Sequence, residues 1–382
     1  MDISDFEIIG SLGHGSYSDV CLAKFSPEES FPSLAPADGA PRLVALKIVD
    51  KHLAVKYDIV DQVFLERRLH EELNDEVCVA RLWFTFKDED SLYFGLEPCL
   101  HGELYDAIEG GLGLSEVVFY AAEVVLMLDA LRRHKVVHRD LKPENILLGT
   151  KGHLKLVDLG SALWLGDDEP EAKRGAGKKR AALVGTADYV APEVLGDRDG
   201  TTLGYGVDLW AFGVILYQML VGEPPFRGLS EYLTFQNVLK NEPDLSRIAW
   251  EGRGRGADRD GDGDGDGDGN VARDVDEGGD GDGNGDGEDS EEDGDYALAR
   301  DLVGRLLTSD PDKRIGMASI DELRGHSLFR NIDWSSLYDQ MRPAPYYVRR
   351  DLGAGRADIV AANDQGEEDW ELKSLRAIRD AR

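Results

Sequence analysis

The sequence predicts an α+β fold with a small antiparallel β-sheet part, which carries one helix, followed by a larger and mostly helical part. Short apolar runs with the alternation of strands, separated by turns, fill residues 6–98. After residue 108 the apolar residues recur at the spacing of amphipathic helices. The 382 residues, 42% of them hydrophobic, are enough to bury one large core or two lobes.

The first part is predicted to form an antiparallel sheet that is interrupted by a loop and a helix. The loop covers the Pro-rich residues 26–41, and the helix VDQVFLERRLHEEL covers residues 60–73. The five predicted strands are FEIIGSL (6–12), SDVCLAKF (18–25), LVALKIVD (43–50), ARLWFTFK (80–87) and SLYFGLEP (91–98).

The second part is predicted to contain four long helices, because its apolar residues repeat at helical spacing. These helices cover residues 115–134, 207–222, 231–241 and 296–307.

One acidic segment accounts for much of the formal net charge of −32. Residues 251–295 hold 19 Asp and Glu against four Arg, and their Asp-Gly repeats contain almost no apolar surface. We predict that this segment is disordered, because burial cannot offset the entropy of ordering it. The rest of the chain is also acidic, which argues against a general nucleic-acid binder, since such proteins present a basic face.

A window within the acidic segment matches the template of a calcium-binding loop. The matching residues are Asp280, Asp282, Asn284, Gly285 and Glu291. Such a match is expected by chance in a segment this rich in Asp and Gly, no amphipathic helix precedes it, and Gly287 stands where an apolar residue belongs. We therefore favour a solvated acidic insert that collects cations loosely, with calcium regulation as the alternative.

Cysteine usage and the absence of leader-like segments indicate an intracellular protein. Cys21, Cys78 and Cys99 are odd in number and widely spaced, which favours reduced thiols that pack in the core. The start MDISDFEIIG lacks a basic and apolar leader, and the apolar run LWAFGVILYQML is too short to span a bilayer. We expect a location in the cytoplasm or nucleus and no integral membrane association.

A glycine-rich turn and two charged residues predict a phosphate-binding site in the first part. The segment LGHGSYSDV (12–20) has the pattern G-x-G-x-x-S, and glycines let backbone N–H groups approach phosphate oxygens. Lys47 interrupts an otherwise apolar strand, and Glu66 on the following helix is a suitable ion partner for it. Together they could hold nucleotide phosphates in place.

The loop HRDLKPENILL (138–148) carries three side chains suited to phosphoryl transfer. Asp140 could accept the proton of an attacking hydroxyl, Lys142 could neutralise the transferred group, and Asn145 could bind a metal ion. Asp158 follows at the end of a predicted strand as a second metal ligand, because divalent cations that bridge phosphates need hard oxygen ligands. Each residue alone is more often an ordinary surface group than a functional one.

The order of these elements along the chain is the protein kinase signature: glycine loop, strand Lys, helix Glu, H-R-D-x-K-x-x-x-N, D-L-G and A-P-E at residues 191–193. From residue 6 to residue 330 the chain resembles eukaryotic serine/threonine protein kinases. The segments FTFKDEDSLYFGLEPCLHGELYDAI, LVGTADYVAPEVL, GEPPFRGLSEYLTFQNVLK and LFRNIDWSSL resemble the 3-phosphoinositide-dependent protein kinase family of the AGC group.

This resemblance implies a bilobal kinase fold that uses ATP and Mg²⁺. It implies an N-lobe over residues 6–97, a C-lobe over residues 98–330 that includes the acidic insert, and a short extension over residues 331–382. It also implies that Asp208 supports the catalytic loop and that Arg314 pairs with Glu193. The implied nucleotide-binding residues are Leu12, Val20, Ala45 and Leu147 around adenine, Glu97 and Cys99 in the hinge, Glu103 at the ribose, Gly13, Gly15, Ser16, Ser18 and Lys47 at the phosphates, and the metal ligands Asn145 and Asp158.

The chain departs from the family pattern at three places. Leu159 replaces the usual Phe of the metal-binding motif, which keeps an apolar side chain with a different shape. The 48 residues after Trp334 are too few for the family's pleckstrin domain, so we do not expect phosphoinositide recruitment. Ala182 stands where the family has a phosphorylated serine.

The third departure predicts activation without phosphate. Between Asp158 and Glu193 the hydroxyl groups are Ser161, Thr186 and Tyr189, and the resemblance places the last two against the catalytic loop or the substrate. The same segment carries the basic residues Lys173, Arg174, Lys178, Lys179 and Arg180. These are either a solvated basic run or a docking element for an acidic segment.

We therefore predict an enzyme that transfers the γ-phosphoryl group of ATP to Ser or Thr on protein substrates, with activation segments of other AGC kinases as candidates. The alternative from another class is a pseudokinase scaffold. That alternative predicts the loss of Lys47, Asp140 or Asp158, and all three are present.

Overall fold

The computed structural model describes residues 1–25, 42–149, 151–165, 185–196, 203–248 and 288–337. The first part forms a five-stranded antiparallel sheet in the order β1-β2-β3-β5-β4. Its strands are β1 (Phe6–His14), β2 (Ser18–Phe25), β3 (Arg42–Asp50), β4 (Leu82–Lys87) and β5 (Ser91–Leu96). All five lie where the sequence predicts strands.

The two faces of β3 have different environments because side chains alternate along a strand. Val44 and Leu46 lie in one apolar cluster with Phe6 and Phe25. Val49 lies in a second cluster on the opposite face, together with Val63 of the following helix. The sheet therefore has a closed aromatic face and a face that packs against a helix, and Lys47 is on the latter.

Two helices follow β3, whereas the sequence predicts one. They are α1 (Lys51–Lys56) and α2 (Val60–Glu72). The short α1 begins at the strand end, where the Asp50 side chain accepts a hydrogen bond of 2.8 Å from the Leu53 N–H. A helix of six residues shows too little periodicity to be recognised in the sequence, and its N-terminal cap is its main local signal.

The second part is mostly helical, as predicted, and also contains two short strand pairs, β6 with β9 and β7 with β8. Its helices are α3 (Leu104–Glu109), α4 (Leu114–Arg133), α5 (Pro192–Gly196), α6 (Gly206–Val221), α7 (Glu231–Lys240), α8 (Glu288–Leu306) and α9 (Asp321–Arg324). Its strands are β6 (Val136–Val137), β7 (Ile146–Leu148), β8 (Leu154–Leu156) and β9 (Leu163–Trp164).

Helix α6 is the centre of the large core, and nearly all of its side chains are buried. It packs against α8 at Gly213. A Cβ atom at Gly213 would lie 2.8 Å from Cβ of Leu306 and 2.9 Å from Cδ2 of Leu307, so only glycine permits this approach. The contacting residues, Gly213 and Leu306, lie on opposite sides of the acidic segment in the sequence.

Helix α8 begins at Glu288, inside the segment that composition predicts to be disordered. The prediction for residues 288–295 is therefore wrong at the level of the backbone. The sequence EDSEED at this point lacks the glycine repeats of the preceding residues, and the glycine-poor stretch can extend the helix N-terminally. The last four positions of the calcium-loop window are helical, and its first eight positions lie outside the described residues.

The three cysteines are free and buried, as predicted. Among the described helices, none is long and apolar enough to cross a membrane. The basic run at residues 173–180 and Ala182 lie outside the described residues.

Candidate active site

Lys47 and Glu66 form the ion pair that the sequence predicts. The distance from Nζ of Lys47 to Oε1 of Glu66 is 2.5 Å, and the two side chains are 8% and 1% exposed. Burial alone would lower the pKa of Lys47, but the carboxylates of Glu66 and Asp158 outweigh it and raise the pKa. Lys47 therefore remains an ammonium group, held on the helix-facing side of β3 by α2.

Asp158 joins this pair from the second part of the chain. Its Oδ1 accepts hydrogen bonds from Lys47 Nζ at 3.2 Å and from the Gly160 N–H at 3.3 Å. The charge of Lys47 lowers the pKa of Asp158, so the group is a carboxylate at neutral pH. About half of the side chain is exposed, which leaves oxygen atoms accessible to a cation.

Asp208 on α6 holds the loop of residues 138–145 through hydrogen bonds to its main chain. The buried Asp208 carboxylate accepts hydrogen bonds from the main-chain N–H groups of His138 at 2.7 Å and Arg139 at 2.9 Å. Arg139 adopts a left-handed backbone conformation with φ of 67°. Since a non-glycine residue with positive φ is strained, the two bonds to Asp208 stabilise the turn that presents Asp140.

The Asp140 carboxylate is surrounded by donors. Oδ2 lies 3.1 Å from Lys142 Nζ and 3.2 Å from Asn145 Nδ2, and Oδ1 accepts a 3.1 Å bond from the Thr186 N–H. Lys142 also donates to the Thr186 hydroxyl at 2.8 Å. These contacts fix the direction of the carboxylate and connect it to the turn GTADY at residues 185–189. The sequence predicts this contact for Thr186.

The two predicted metal ligands lie at the same end of the β7–β8 hairpin. Asn145 directly precedes β7, and Asp158 follows two residues after the end of β8. The adjacent strand residues, Ile146 of β7 and Leu156 of β8, form a pair across the hairpin. The Val157 N–H donates to the Asn145 carbonyl at 3.0 Å. One amide oxygen and one carboxylate fit Mg²⁺, which usually takes few protein ligands and shares the rest with phosphates and water.

The glycine loop is a tight turn between β1 and β2. The Gly15 N–H donates to the Ser18 carbonyl at 2.7 Å, and a Cβ at Gly15 would approach that carbonyl to 3.1 Å. A Cβ at Gly13 would enter open space, which is the room that a phosphate needs. Ser16 lies inside this turn. The local geometry is therefore compatible with the predicted phosphate contacts.

The predicted adenine residues come from both parts of the chain. Val20 pairs with Lys47 across the sheet, which places Val20 and Ala45 on the same face as Lys47. Ala45 also pairs with Leu96, next to the predicted hinge. In the second part, Leu147 bridges Glu103, where α3 begins. The roles of these residues and of Leu12 in binding adenine and ribose remain predictions.

The side chains of the two predicted hinge residues, Glu97 and Cys99, have different environments. Oε2 of Glu97 accepts from Lys155 Nζ at 3.1 Å and from the Arg81 N–H at 3.3 Å, and the Cys99 side chain is buried. The role of Glu97 and Cys99 in nucleotide binding stays a prediction.

Tyr17 is a residue near the site that the sequence reasoning missed. Its hydroxyl lies 3.1 Å from the position that a Cβ would take on Gly160, and its ring packs against the apolar cluster beside α2. Burial raises its pKa, and the charges of Lys47, Glu66 and Asp158 also act on it. The sequence did contain a signal for this residue, because Tyr17 is the aromatic residue within the glycine-rich segment LGHGSYSDV.

Comparisons with known proteins agree with this geometry. The sequence matches the protein kinase domain family over residues 6–329. It is similar to 3-phosphoinositide-dependent protein kinase 1 of Arabidopsis thaliana, with 35% identity over 89% of this chain and 58% of that protein. It is also similar to 3-phosphoinositide-dependent protein kinase 1 of Homo sapiens, with 33% identity over 89% of this chain and 50% of that protein.

A third relative, the serine/threonine-protein kinase PKH1 of Saccharomyces cerevisiae, is 38% identical over 91% of this chain and 38% of that protein. The chain thus spans between 38% and 58% of the length of these three relatives.

Proposed function

This chain belongs to the protein kinase family, and from that membership we propose that it transfers the γ-phosphoryl group of ATP to Ser or Thr hydroxyls of protein substrates. The observation that carries the proposal is that two sets of contacts lie side by side in the site, linked by the hydrogen bond from the Val157 N–H to the Asn145 carbonyl. Glu66 holds Lys47, Lys47 contacts Asp158, and the loop beside Asp158 holds Asn145 against Asp140. A pseudokinase scaffold would not need this arrangement.

Each side chain has a definite part in the proposed reaction. Lys47, oriented by Glu66, binds the nucleotide phosphates. Asn145 and Asp158 would hold Mg²⁺, which would supply positive charge to the phosphates of the nucleotide. Asp140 orients the attacking hydroxyl and accepts its proton, and Lys142 faces the developing charge. The fixed positions of these groups lower the barrier mainly by orientation and electrostatics.

The substrate class and the location are also proposals. The similarity to 3-phosphoinositide-dependent protein kinases supports activation segments of AGC kinases as the first substrates to test. The contact of Thr186 with both Asp140 and Lys142 supports a Ser or Thr acceptor, as the sequence pattern predicts. We propose that the protein acts in the cytoplasm or nucleus.

The first test is phosphate transfer from labelled ATP, with Mg²⁺, to a peptide with the sequence of an AGC activation segment. We expect labelled phosphothreonine or phosphoserine from the wild type. Asp140→Asn should lower kcat by about 10²- to 10⁴-fold, because it removes the base that receives the proton. Its unfolding temperature should stay close to that of the wild type. Equal labelling by the wild type and Asp140→Asn would contradict the proposal.

The calcium alternative has its own test. In a variant with a short Gly-Ser linker in place of residues 251–287, we expect specific activity within a few-fold of the wild type, because shortening a loop has a small effect on the free energy of unfolding. Calcium added at constant Mg²⁺ should leave both proteins unchanged. A calcium response that is present in the wild type and lost in the variant would establish calcium regulation instead.

A further inference from the structure

The start of the activation segment, which we define as residues 158–193, contacts α2 directly through two residues that lie on either side of Glu66 in the sequence. The Arg68 guanidinium lies over the Trp164 ring, 4.0 Å from its centroid. Nε2 of Gln62 donates a hydrogen bond of 3.1 Å to the Ala162 carbonyl. We call these four residues the clasp. Because Glu66 lies between Gln62 and Arg68 on one helix, the clasp restrains the part of α2 that positions Lys47.

Apolar packing reinforces the clasp. Leu65 of α2, Leu163 and Trp164 are partly buried and pack against the large core cluster that contains Leu159. Leu159 is the apolar residue of the D-L-G motif and is fully buried. The clasp therefore joins α2 to the core immediately behind Asp158.

The other side of the clasp is attached to the catalytic loop region. In the β6–β9 pair, Trp164 lies opposite Val136, and the Leu165 N–H donates to the Lys135 carbonyl at 2.7 Å. Arg139 Nε donates to the Ser161 carbonyl at 2.6 Å. Residues 161–165 are thus held to the segment that leads into Asp140, at the same time as they hold α2.

These contacts require no phosphate. In kinases with a phosphorylated activation segment, the added charge pairs with arginines such as Arg139 and orders the segment. Here Arg139 donates to the main chain of Ser161, and the residue at the expected phosphorylation position, Ala182, has no hydroxyl. The contacts of α2 with this segment are made by the neutral Trp164 ring and by the main-chain carbonyl of Ala162, neither of which depends on phosphorylation.

We propose that the clasp keeps α2 in the position at which Glu66 holds Lys47, so that this kinase is active without phosphate on its own chain. This inference rests on the proposed function. Arg68 and Trp164 are positioning residues, since they act on the phosphates through Glu66 and Lys47. Small displacements of such groups reduce rates strongly, because transfer depends on orientation.

The test compares variants of the protein after phosphatase treatment, with mass spectrometry to verify that no phosphate remains. We expect the treated wild type to keep its kcat/KM for ATP within twofold. Trp164→Ala should lower kcat/KM about tenfold, whereas Trp164→Phe retains a ring for Arg68 and should stay within about threefold. Arg68→Gln changes an exposed side chain and should fold normally, and combining it with Trp164→Ala should add little further loss.

Trp334→Ala is the matched control. Trp334 also lies beside an arginine, Arg324, with 5.8 Å between Cζ and the ring centroid, and it is far from α2 in the chain. This control should lower the unfolding temperature and leave kcat/KM per folded molecule unchanged. Hydrogen exchange supplies a readout that does not need activity: amides of residues 60–72 should exchange faster in Trp164→Ala than in Trp334→Ala.

Two results would overturn the clasp: a loss of more than tenfold when the active wild type is dephosphorylated, or equal exchange and equal kcat/KM in the two Trp→Ala variants. A wild type that transfers no phosphate before treatment would instead overturn the proposed function.

Discussion

Asp158→Asn is expected to lower kcat by about a thousandfold, because it removes a charged metal ligand. Loss of several kcal/mol of charge stabilisation in the transition state corresponds to that factor, since about 1.4 kcal/mol changes a rate tenfold. The 2.5 Å contact between Lys47 and Glu66 does not involve Asp158, so we expect the N-lobe to remain intact in this variant. Steady-state kinetics at several Mg²⁺ concentrations and thermal unfolding measure the two effects.

Asparagine is the informative substitution because of the backbone at this position. Asp158 has φ of 57° and ψ of 78°, in the left-handed region, which asparagine tolerates and alanine does not. Asp158→Ala should show the same kinetic loss as Asp158→Asn and a further loss of about 1 kcal/mol in the free energy of unfolding. Turnover of Asp158→Asn within tenfold of the wild type would show that Asp158 is not a metal ligand.

Arg314→Met is expected to lower the free energy of unfolding by about 3–5 kcal/mol, the largest stability effect that we predict. The Arg314 side chain is fully buried, and its two Nη atoms bind the Glu193 carboxylate at 2.6 and 2.7 Å. Arg314 also donates to the carbonyls of Gly206 at 2.7 Å and Thr308 at 2.8 Å. Methionine would leave a carboxylate that is only 10% exposed and three carbonyl oxygens, those of Gly206, Thr308 and Ser309, without this donor.

The matched control is Arg305→Met on α8. Arg305 pairs with Asp301 at 2.9 Å, but the two side chains are 58% and 44% exposed. Such a pair contributes about 0–1 kcal/mol, so chemical denaturation should separate the two variants clearly. A similar, small loss in both variants would mean that the buried pair does not hold α5 to the segment that follows α8.

Sequence reasoning succeeded where function requires particular residue types at short spacing. Asp140, Lys142 and Asn145 lie on one loop, and their mutual contacts follow from that spacing. The partners Lys47 and Glu66 were predictable because a lysine on an apolar strand needs an anion. The α-helical and β-strand segments with strong periodicity were also predicted close to their observed bounds, except that α8 begins at Glu288 and not at the predicted residue 296.

Contacts between segments that are far apart in the sequence produce no local sequence pattern, so they were not predicted. Arg68 and Trp164 are far apart in the sequence, and neither is unusual in its own segment. His70 is a further example: it is buried on α2, and burial lowers its pKa to about 3, so the imidazole is neutral within the core. A histidine on a helix gives no sign in the sequence that it will be buried in this way.

The close contact at Gly213 has a consequence for biosynthesis. Leu306, which covers Gly213, lies 93 positions later in the sequence. At a translation rate of roughly 5–20 residues per second, the apolar helix α6 leaves the ribosome roughly 5–20 s before its partner α8 is complete. During that interval its apolar surface has no native cover from α8. Exposed apolar surface in a nascent chain favours binding by chaperones, and the acidic segment, residues 251–295, accounts for about half of this interval.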